Sequence, residues 1–282
     1  MNLLVDVIVL LAVFIIVMIA VDSNRFHTVC YRVDTGKLPK TVKIAFLSDL
    51  HNKKYGTANE KILTAVELIQ PDLVLIGGDM VTARRTEKVE NIFPLLEELV
   101  KRYPVYYGSG NHEQRFKLYP ENYGDAGERL EQGIANSGAG RLINERVSLP
   151  DLPMDISSVE IGREFYKRSR TPSMTKEDME ALLPASGASD RLQLLLAHNP
   201  EHFAAYAGWG ADLVLAGHMH GGIIRVPFLG GVISPKLTLF PKYDGGQFDE
   251  EGSTMIVSRG LGSHTIPFRL FNPGELVEII LS

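Results

Sequence analysis

Five loops of this chain carry aspartate, asparagine and histidine side chains of the kinds that bind transition metals. The first loop follows the apolar run Ile44-Ala45-Phe46 and holds Asp49 and His51. Side chains alternate along a strand, so residues at this spacing leave the sheet on the same side. A carboxylate and an imidazole aimed at one point begin a metal site, although such a pair alone occurs often by chance. The pattern recurs in Gly77-Gly78-Asp79, Gly110-Asn111-His112-Glu113, Ala197-His198-Asn199-Pro200 and Gly217-His218-Met219-His220-Gly221-Gly222.

The residue types in these loops predict a site for two metal ions. Five of the eight histidines lie there, which packing alone explains poorly. Oxygen and nitrogen ligands without a thiolate suit manganese, iron or zinc. Two ions about 3.5–4 Å apart can hold a phosphoryl group and bind a hydroxide between them for in-line attack. The candidate ligands are Asp49, His51, Asp79, Asn111, His198, His218 and His220.

The elements that position these loops alternate between strands and helices in the first half of the chain. We predict strands at 42–47, 73–76 and 105–107, each followed by a candidate loop, with helices at 58–70 and 89–101. The segment 73–76 is continuously apolar, as expected of a strand buried on both faces. This order predicts an α/β fold whose ligands gather at the carboxyl ends of the strands.

The rest of the chain is less regular and then becomes rich in strands. In the middle we predict a helix near 125–137, a strand near 142–149 and a helix at 176–183. The basic segment 165–175 either covers the site or is an ordinary surface excursion. The later predicted strands are 192–196, 211–216, 223–226, 255–258 and 276–281.

The composition excludes several classes of protein. A net charge of −5 and the lack of a long basic stripe argue against nucleic-acid binding. The single cysteine, Cys30, excludes a disulfide framework and a zinc–thiolate cluster. No phosphate-binding loop surrounds it, which excludes a thiol-dependent phosphatase. The oligomeric state stays open.

The N-terminal segment predicts a membrane anchor. Leu3 to Val21 form an apolar run of about the length needed to cross a bilayer, interrupted only by Asp6. A cleaved signal peptide normally begins with positive charge and ends at a small-x-small site, and both features are missing. A buried helix of this length would usually show a polar face. We therefore predict a single-pass anchor in the cell membrane at 1–22, a lead-in linker at 23–41 and a globular domain at 42–282.

The charge distribution around the anchor predicts its orientation. Basic side chains follow the anchor and none precedes it, which by the positive-inside rule places the domain on the cytoplasmic side. They are Arg25, Arg32, Lys37, Lys40 and Lys43.

The loops together resemble the motif set of the calcineurin-like metallophosphoesterases, from about residue 42 to the C-terminus. The matching motifs are Asp49-x-His51, Gly78-Asp79, Gly110-Asn111-His112-Glu113, His198 and Gly217-His218-x-His220. The chain is similar, more narrowly, to the membrane-associated bacterial subfamily typified by YkuE and YaeI. That similarity rests on the stretches 197–201, 217–222, 240–244 and 258–262.

The resemblance implies a fold and a role for each matching residue. The fold would be a four-layer α/β/β/α sandwich of two mixed sheets flanked by helices. Asp79 would bridge the two metals, and His112 would act as an outer-sphere acid that protonates the leaving oxygen or stabilises charge there. The other ligands would be Asp49, His51 and His220 for the first metal, and Asn111, His198 and His218 for the second.

Residues close to the motifs support weaker hypotheses. Arg115 and Arg259 could contact phosphate, because a guanidinium matches its oxygens, and for Arg259 a plain salt bridge is an equal alternative. Glu113 either orients His112 by a hydrogen bond or is a solvated carboxylate. Three further residues are interpreted as structural, namely His202 at a surface or cap position, His264 and Asp244.

These observations favour a membrane-anchored, dimetal-dependent phosphoric ester hydrolase. Its target would be a phosphomonoester, a phosphodiester or a pyrophosphate, and the anchor favours a lipid-linked or nucleotide-linked substrate borne by the membrane. The alternative is a non-catalytic scaffold that keeps the fold for protein binding. A scaffold should have lost ligands or the acid histidine, whereas every expected position is filled here.

Overall fold

The computed structural model describes residues 3–167, 171–185, 190–222, 224–226, 229–234, 238–263 and 268–282. It begins with helix α1 (Leu3–Asp22), which is 20 residues long and has a mean hydropathy of 3.3 over its most apolar window. None of that window is buried against the rest of the fold. Its length and composition allow the helix to cross a membrane, and a signal sequence has the same properties.

Two mixed sheets and their flanking helices follow. The strands in chain order are β1 (Phe26–Val33), β2 (Val42–Leu47), β3 (Leu73–Ile76), β4 (Val105–Tyr107), β5 (Gly140–Arg141), β6 (Glu145–Ser148), β7 (Met154–Val159), β8 (Leu192–Ala197), β9 (Leu213–Ala216), β10 (Ile224–Val226), β11 (Gly230–Ile233), β12 (Gly246–Glu250), β13 (Ser253–Val257) and β14 (Gly274–Leu281). The remaining helices are α2 (Glu60–Ile69), α3 (Phe93–Val100), α4 (Asn111–Leu118), α5 (Pro120–Tyr123), α6 (Ala126–Ser137), α7 (Lys176–Leu182) and α8 (Phe203–Trp209).

The sheet topology brings the candidate loops to one edge. The first sheet has the order β1–β14–β2–β3–β4–β5, and β2, β3 and β4 run parallel. The second has the order β12–β13–β9–β8–β7–β6, and β8 and β9 run parallel. Strands β10 and β11 form a separate antiparallel hairpin. The loops after the parallel strands of each sheet carry the predicted ligands.

The core consists of three apolar layers. In β2, Ile44 and Phe46 pack between the two sheets, whereas Ala45 and Leu47 pack under helices α2, α3 and α6. Residues of β8 alternate in the same way between the central layer and a third cluster under α7 and α8. Period-two alternation of apolar side chains thus builds the predicted sandwich of helices, two sheets and helices, and the fold-class prediction is confirmed.

Most predicted elements are observed, and the main errors are in the lead-in and the middle. Strands β2, β3 and β4 have the predicted bounds. The segment 23–41, predicted as a linker, contains β1, which pairs in parallel with β14 at the sheet edge. Exposed Thr28, Cys30 and Arg32 on its outer face make this strand look like polar linker sequence. In the middle, β7 was not predicted. Residue 223 of one predicted strand and His264 lie outside the described residues.

Candidate metal centre

The first candidate loop holds its carboxylate by hydrogen bonds from the neighbouring loop. Asp49 is fully buried, and its carboxylate accepts bonds from the Ser48 hydroxyl at 2.5 Å and from the backbone N–H of His218 at 3.1 Å. Gly217 fits here only because it lacks a Cβ, which would lie 2.2 Å from Asp49 Oδ2. The first and last ligand loops of the sequence are therefore in direct contact.

Imidazole nitrogens and carboxylate oxygens converge on a small buried volume. Asp79 Oδ2 lies 3.2 Å from His198 Nε2 and 3.8 Å from His51 Nε2. Asp49 Oδ1 lies 3.3 Å from His220 Nε2, which is itself 3.3 Å from His51 Nε2. Three overlapping sets of donors lie close enough to hold an ion. They are Asp49 with His51 and His220, Asp79 with His198 and His218, and Asp79 with His51 and His112.

In each histidine, the hydrogen bond made by the ring nitrogen that points away from the site decides whether the other nitrogen can bind a metal or donate a proton. Nδ1 of His198 lies 2.8 Å from the Gly77 carbonyl, and Nδ1 of His220 lies 3.2 Å from the Gly262 carbonyl. A carbonyl can only accept, so in the neutral form of both rings, the form that binds a metal, Nδ1 carries the proton and Nε2 presents a lone pair to the site.

His112 has the opposite arrangement. Its Nδ1 accepts a hydrogen bond of 2.8 Å from the backbone N–H of Ala83, so the neutral ring carries its proton on Nε2. That nitrogen lies 4.0 Å from Asp79 Oδ2. The neutral ring of His112 therefore presents an N–H to the same carboxylate that neutral His198 faces with a lone pair.

The charge environment follows from this convergence. Burial lowers the pKa of His198, but the carboxylates of Asp79 and Asp49 outweigh burial and raise it to about 10. Burial opposes ionisation of Asp79 as well, yet His198 and His112 hold the pKa of this carboxyl well below its usual value. The site thus strongly favours positive charge between its carboxylates.

Glu113 holds the backbone of the Asp79 loop by hydrogen bonds, a role that the sequence did not predict. It is fully buried, and neither orients the His112 ring nor meets solvent as predicted. Oε2 accepts from the N–H groups of Asp79 and Gly110, and Oε1 accepts from the Met80 N–H and the Tyr107 hydroxyl, all at 2.8–3.0 Å. Burial and the nearby Asp79 carboxylate raise the pKa of Glu113 to about 7.

The residues present fit a pair of metal ions. Asp79 Oδ2 and Asn111 Oδ1 are buried oxygens that make no hydrogen bond within the described part of the chain. Buried oxygens without donors are costly unless a cation satisfies them. The remaining donors are imidazoles and a carboxylate, a set that suits manganese, iron or zinc.

Left-handed backbone conformations are concentrated at this site. Five of the predicted ligands have φ between 49° and 67°, namely Asp49, His51, Asp79, His218 and His220. Such values are uncommon for residues other than glycine, and aspartate and histidine tolerate them better than bulky side chains. Non-glycine residues held in this region cluster at functional sites.

The arginines predicted to bind substrate are engaged elsewhere in this structure. Arg115 donates to the Tyr123 hydroxyl at 2.9 Å. Arg259 forms an ion pair with buried Glu275 and contacts His27 Nε2 at 2.8 Å, which matches the salt-bridge alternative. Phosphate binding by either side chain stays a prediction.

Three further expectations are resolved by neighbouring contacts. His202 is buried, with Nε2 3.2 Å from the Phe165 carbonyl, so the surface alternative is wrong, whereas the cap alternative holds because His202 is the N-cap residue of α8. The start of the basic segment reaches the site, because the Tyr166 ring lies 5.2 Å from the His218 ring. Asp244 is structural as predicted, since it pairs with Arg225 at 2.9 Å.

Comparisons with known proteins place these residues in a family. The family model described as calcineurin-like phosphoesterase matches residues 42–222. The Campylobacter jejuni protein Cj0846, an uncharacterized metallophosphoesterase, is 29% identical over 88% of this chain and 61% of its own length. The phosphodiesterase YaeI of Escherichia coli is 29% identical over 68% of this chain and 66% of its own length.

Two other relatives bear on the subfamily. YkuE of Bacillus subtilis is 27% identical over 85% of this chain and 78% of its own length. LpxG of Chlamydia muridarum, a UDP-2,3-diacylglucosamine pyrophosphatase, is 26% identical over 83% of this chain and 82% of its own length. The chain spans slightly less than two thirds of the length of Cj0846 and YaeI. The predicted resemblance is confirmed, and the chain belongs to the calcineurin-like phosphoesterase family.

Proposed function

We propose that this chain is a membrane-anchored hydrolase of phosphoric esters whose site holds two divalent metal ions. The observation that carries the proposal is that the histidines fall into two groups. The group is decided by the hydrogen bond that the ring nitrogen pointing away from the site makes. In their neutral forms His198 and His220 offer lone pairs, whereas His112 offers an N–H toward Asp79. A ligand set beside a proton donor is what metal-assisted hydrolysis of a phosphoester requires.

Asp79 would be shared by the two ions, with the remaining ligands divided as in the family pattern. One ion would be held by Asp49, His51 and His220, and the other by Asn111, His198 and His218. Ions of this kind polarise phosphoryl oxygens and lower the pKa of bound water. Manganese, iron and zinc all fit the donor set, and manganese is the first to test.

His112 acts on the leaving group from outside the ligand set. Ala83 fixes the ring so that Nε2–H faces the site, and only 3% of the residue is exposed. A donor held in this way loses no free energy in reorienting, and it protonates the leaving oxygen or stabilises the charge that develops there. Burial also limits competition from bulk water.

The substrate class follows from the anchor and the relatives. Helix α1 would hold the domain at the membrane, and the positive-inside rule favours the cytoplasmic side. YaeI is a phosphodiesterase and LpxG a pyrophosphatase of a diacylated nucleotide sugar. We therefore propose a phosphodiester or pyrophosphate in a lipid-linked substrate, ahead of a soluble phosphomonoester.

The first experiment compares two chromogenic substrates with the full chain in detergent micelles. Bis-(p-nitrophenyl) phosphate reports diesterase activity and p-nitrophenyl phosphate reports monoesterase activity, each with added manganese and after metal stripping. We expect metal-dependent turnover with a preference for the diester. A chain that binds no metal and turns over neither substrate would instead support the non-catalytic scaffold.

A further inference from the structure

A set of exposed apolar side chains lies beside the N-terminal helix. We call this set the apolar rim, and it consists of Val226, Leu229, Leu239, Phe240 and Phe271, which are 36–63% exposed. Backbone pairing joins the segments that carry them. Ile224 bridges to Leu270 on one side and pairs with Ile233 on the other, and Ile233 bridges to Leu239. The segments that carry the rim are therefore neighbours in the fold rather than scattered positions.

The rim is in contact with helix α1. The ring of Phe271 lies 6.4 Å from the ring of Phe14, and the Arg269 N–H donates to the Ser23 hydroxyl at 2.9 Å. Phe14 precedes the end of the helix at Asp22 by eight residues, which is about 12 Å along the axis at a rise of about 1.5 Å per residue. If α1 spans a hydrocarbon core of about 30 Å, Phe271 must lie within that core too.

Two rim residues also have an unfavourable backbone conformation. Phe240 and Phe271 have φ of 49° and 53°, and they are 59% and 36% exposed. A left-handed conformation is a genuine outlier for a bulky side chain, and both rings nevertheless stay partly exposed. Strained phenylalanines that face outward indicate a binding surface rather than a packing requirement.

The rim is attached to the candidate metal centre. The side-chain amide of Asn272, next to Phe271, donates to the carbonyls of His220 and Gly222 at 2.7 Å and 2.9 Å. Hairpin β10–β11, which carries Leu229, begins two residues after Gly222. Whatever binds at the rim therefore lies close to the loop that carries the predicted ligand His220.

Basic side chains lie next to the C-terminal end of α1. Arg25 is about half exposed and pairs with Asp22 at the last residue of α1. Lys53 donates to the Asn24 side chain at 2.8 Å. Cationic side chains at the end of an apolar helix favour the headgroup region of a membrane, especially one with anionic lipids.

We propose that the apolar rim inserts into the bilayer leaflet next to α1, so that the domain lies on the membrane at two places. The proposal rests on the membrane anchoring proposed above. Its occupant is the lipid bilayer, because Phe271 of the rim lies beside Phe14 in a helix of membrane-spanning length. Insertion at both places fixes the orientation of the domain, and it holds the loop of His220 close to the lipid surface.

The test uses depth-dependent quenching in the full chain, reconstituted into phosphatidylcholine vesicles with or without brominated acyl chains. Phe240→Trp places an indole in the rim, and Leu229→Trp is a second variant in case the first misfolds. Leu68→Trp is the matched control, since Leu68 is 81% exposed on α2 and lies outside the rim. The single native tryptophan, Trp209, is buried, and the unmodified chain gives its background.

We expect brominated lipid to reduce emission from the rim indoles on the order of twofold, as for a group lying about 5–10 Å into the interface. Emission from position 68 should not change. Phe14→Trp reports on the anchor itself. Quenching at position 14 without quenching at position 240 or 229 would refute insertion of the rim and would leave the membrane anchor supported. No quenching at position 14 overturns the anchor and the rim with it, while hydrolysis of the chromogenic substrates is judged separately.

Discussion

Replacing Glu113 by glutamine tests whether this buried carboxylate positions the Asp79 loop. Its four hydrogen bonds come from three backbone N–H groups and one hydroxyl. An amide keeps one oxygen and puts an NH₂ group in the place of the other. The outcome therefore depends on which pair of donors the NH₂ group faces.

The less costly orientation places the NH₂ group at the Oε1 position. There Tyr107 can rotate its hydroxyl to accept, and only the Met80 N–H loses its partner. One buried donor without an acceptor costs about 1–3 kcal/mol. The opposite orientation leaves the N–H groups of Asp79 and Gly110 unpaired and costs about twice as much by the same rule. Losing the repulsion between Glu113 and Asp79 partly offsets either cost.

We therefore expect Glu113→Gln to destabilise the chain by about 1–3 kcal/mol, which lowers Tm by roughly 3–10 °C for a protein of this size. Metal affinity should fall by about 10–100-fold, because outer groups that orient a ligand loop typically contribute this much. Thermal unfolding and titration with manganese followed by elemental analysis measure the two effects in the full chain.

The control is Glu97→Gln, which changes an exposed glutamate on α3 and should alter neither quantity. A second variant, Tyr107→Phe, removes only the hydroxyl donor and should have a smaller effect on metal affinity than Glu113→Gln. Equal Tm and equal metal affinity for Glu113→Gln and the unmodified chain would refute the positioning role.

Three other predictions address the ligands, the acid and the packing of the loops. Asp79→Asn should lose the second metal ion and nearly all turnover, and normal metal content in this variant would contradict the bridging role. His112→Ala should keep both ions and lose about 10²–10⁴-fold in rate. The loss should shrink for substrates with good leaving groups, so equal losses across leaving groups would argue against an acid. Gly217→Ala should lower metal affinity, because its Cβ would lie 2.2 Å from Asp49 Oδ2, whereas Gly208→Ala, with no atom nearer than 3.9 Å, is its control.

Strands whose apolar pattern is continuous could be predicted from the sequence alone. β2, β3 and β4 are apolar apart from Lys43 and end at a motif, so even their bounds were predicted correctly. β7 was missed because it contains Asp155 and two serines, although all its residues are buried. Arg191 and Gln193 satisfy the Asp155 carboxylate at 2.7 Å and 3.0 Å, and both come from beyond the next helix. A polar residue that is buried because residues far along the chain hydrogen-bond to it leaves no pattern in the neighbouring sequence.

The same distinction applies to the candidate site. Ligand types could be read from the sequence because each ligand lies in a loop that directly follows a buried strand. The function of Glu113 could not, since two of its four partners are N–H groups of a loop more than thirty residues earlier. Nor could the sequence separate His112 from the ligands by chemistry, because the Ala83 N–H that fixes its tautomer belongs to another loop.

The positive φ values of the ligand residues relate the types of residue used as ligands to the stability of the ligand loops. Strain at a non-glycine residue in this region is of order 1–3 kcal/mol. Five such residues could therefore cost about as much as the 5–15 kcal/mol that stabilises a typical domain. Aspartate and histidine reduce this cost because they tolerate positive φ, and they are also the residue types that bind metal. Bonds from Ser48, Glu113 and Asn272 offset the rest from outside the site. Without bound ions these loops would then be held mainly by those outer hydrogen bonds, so they should be the first part of the domain to open.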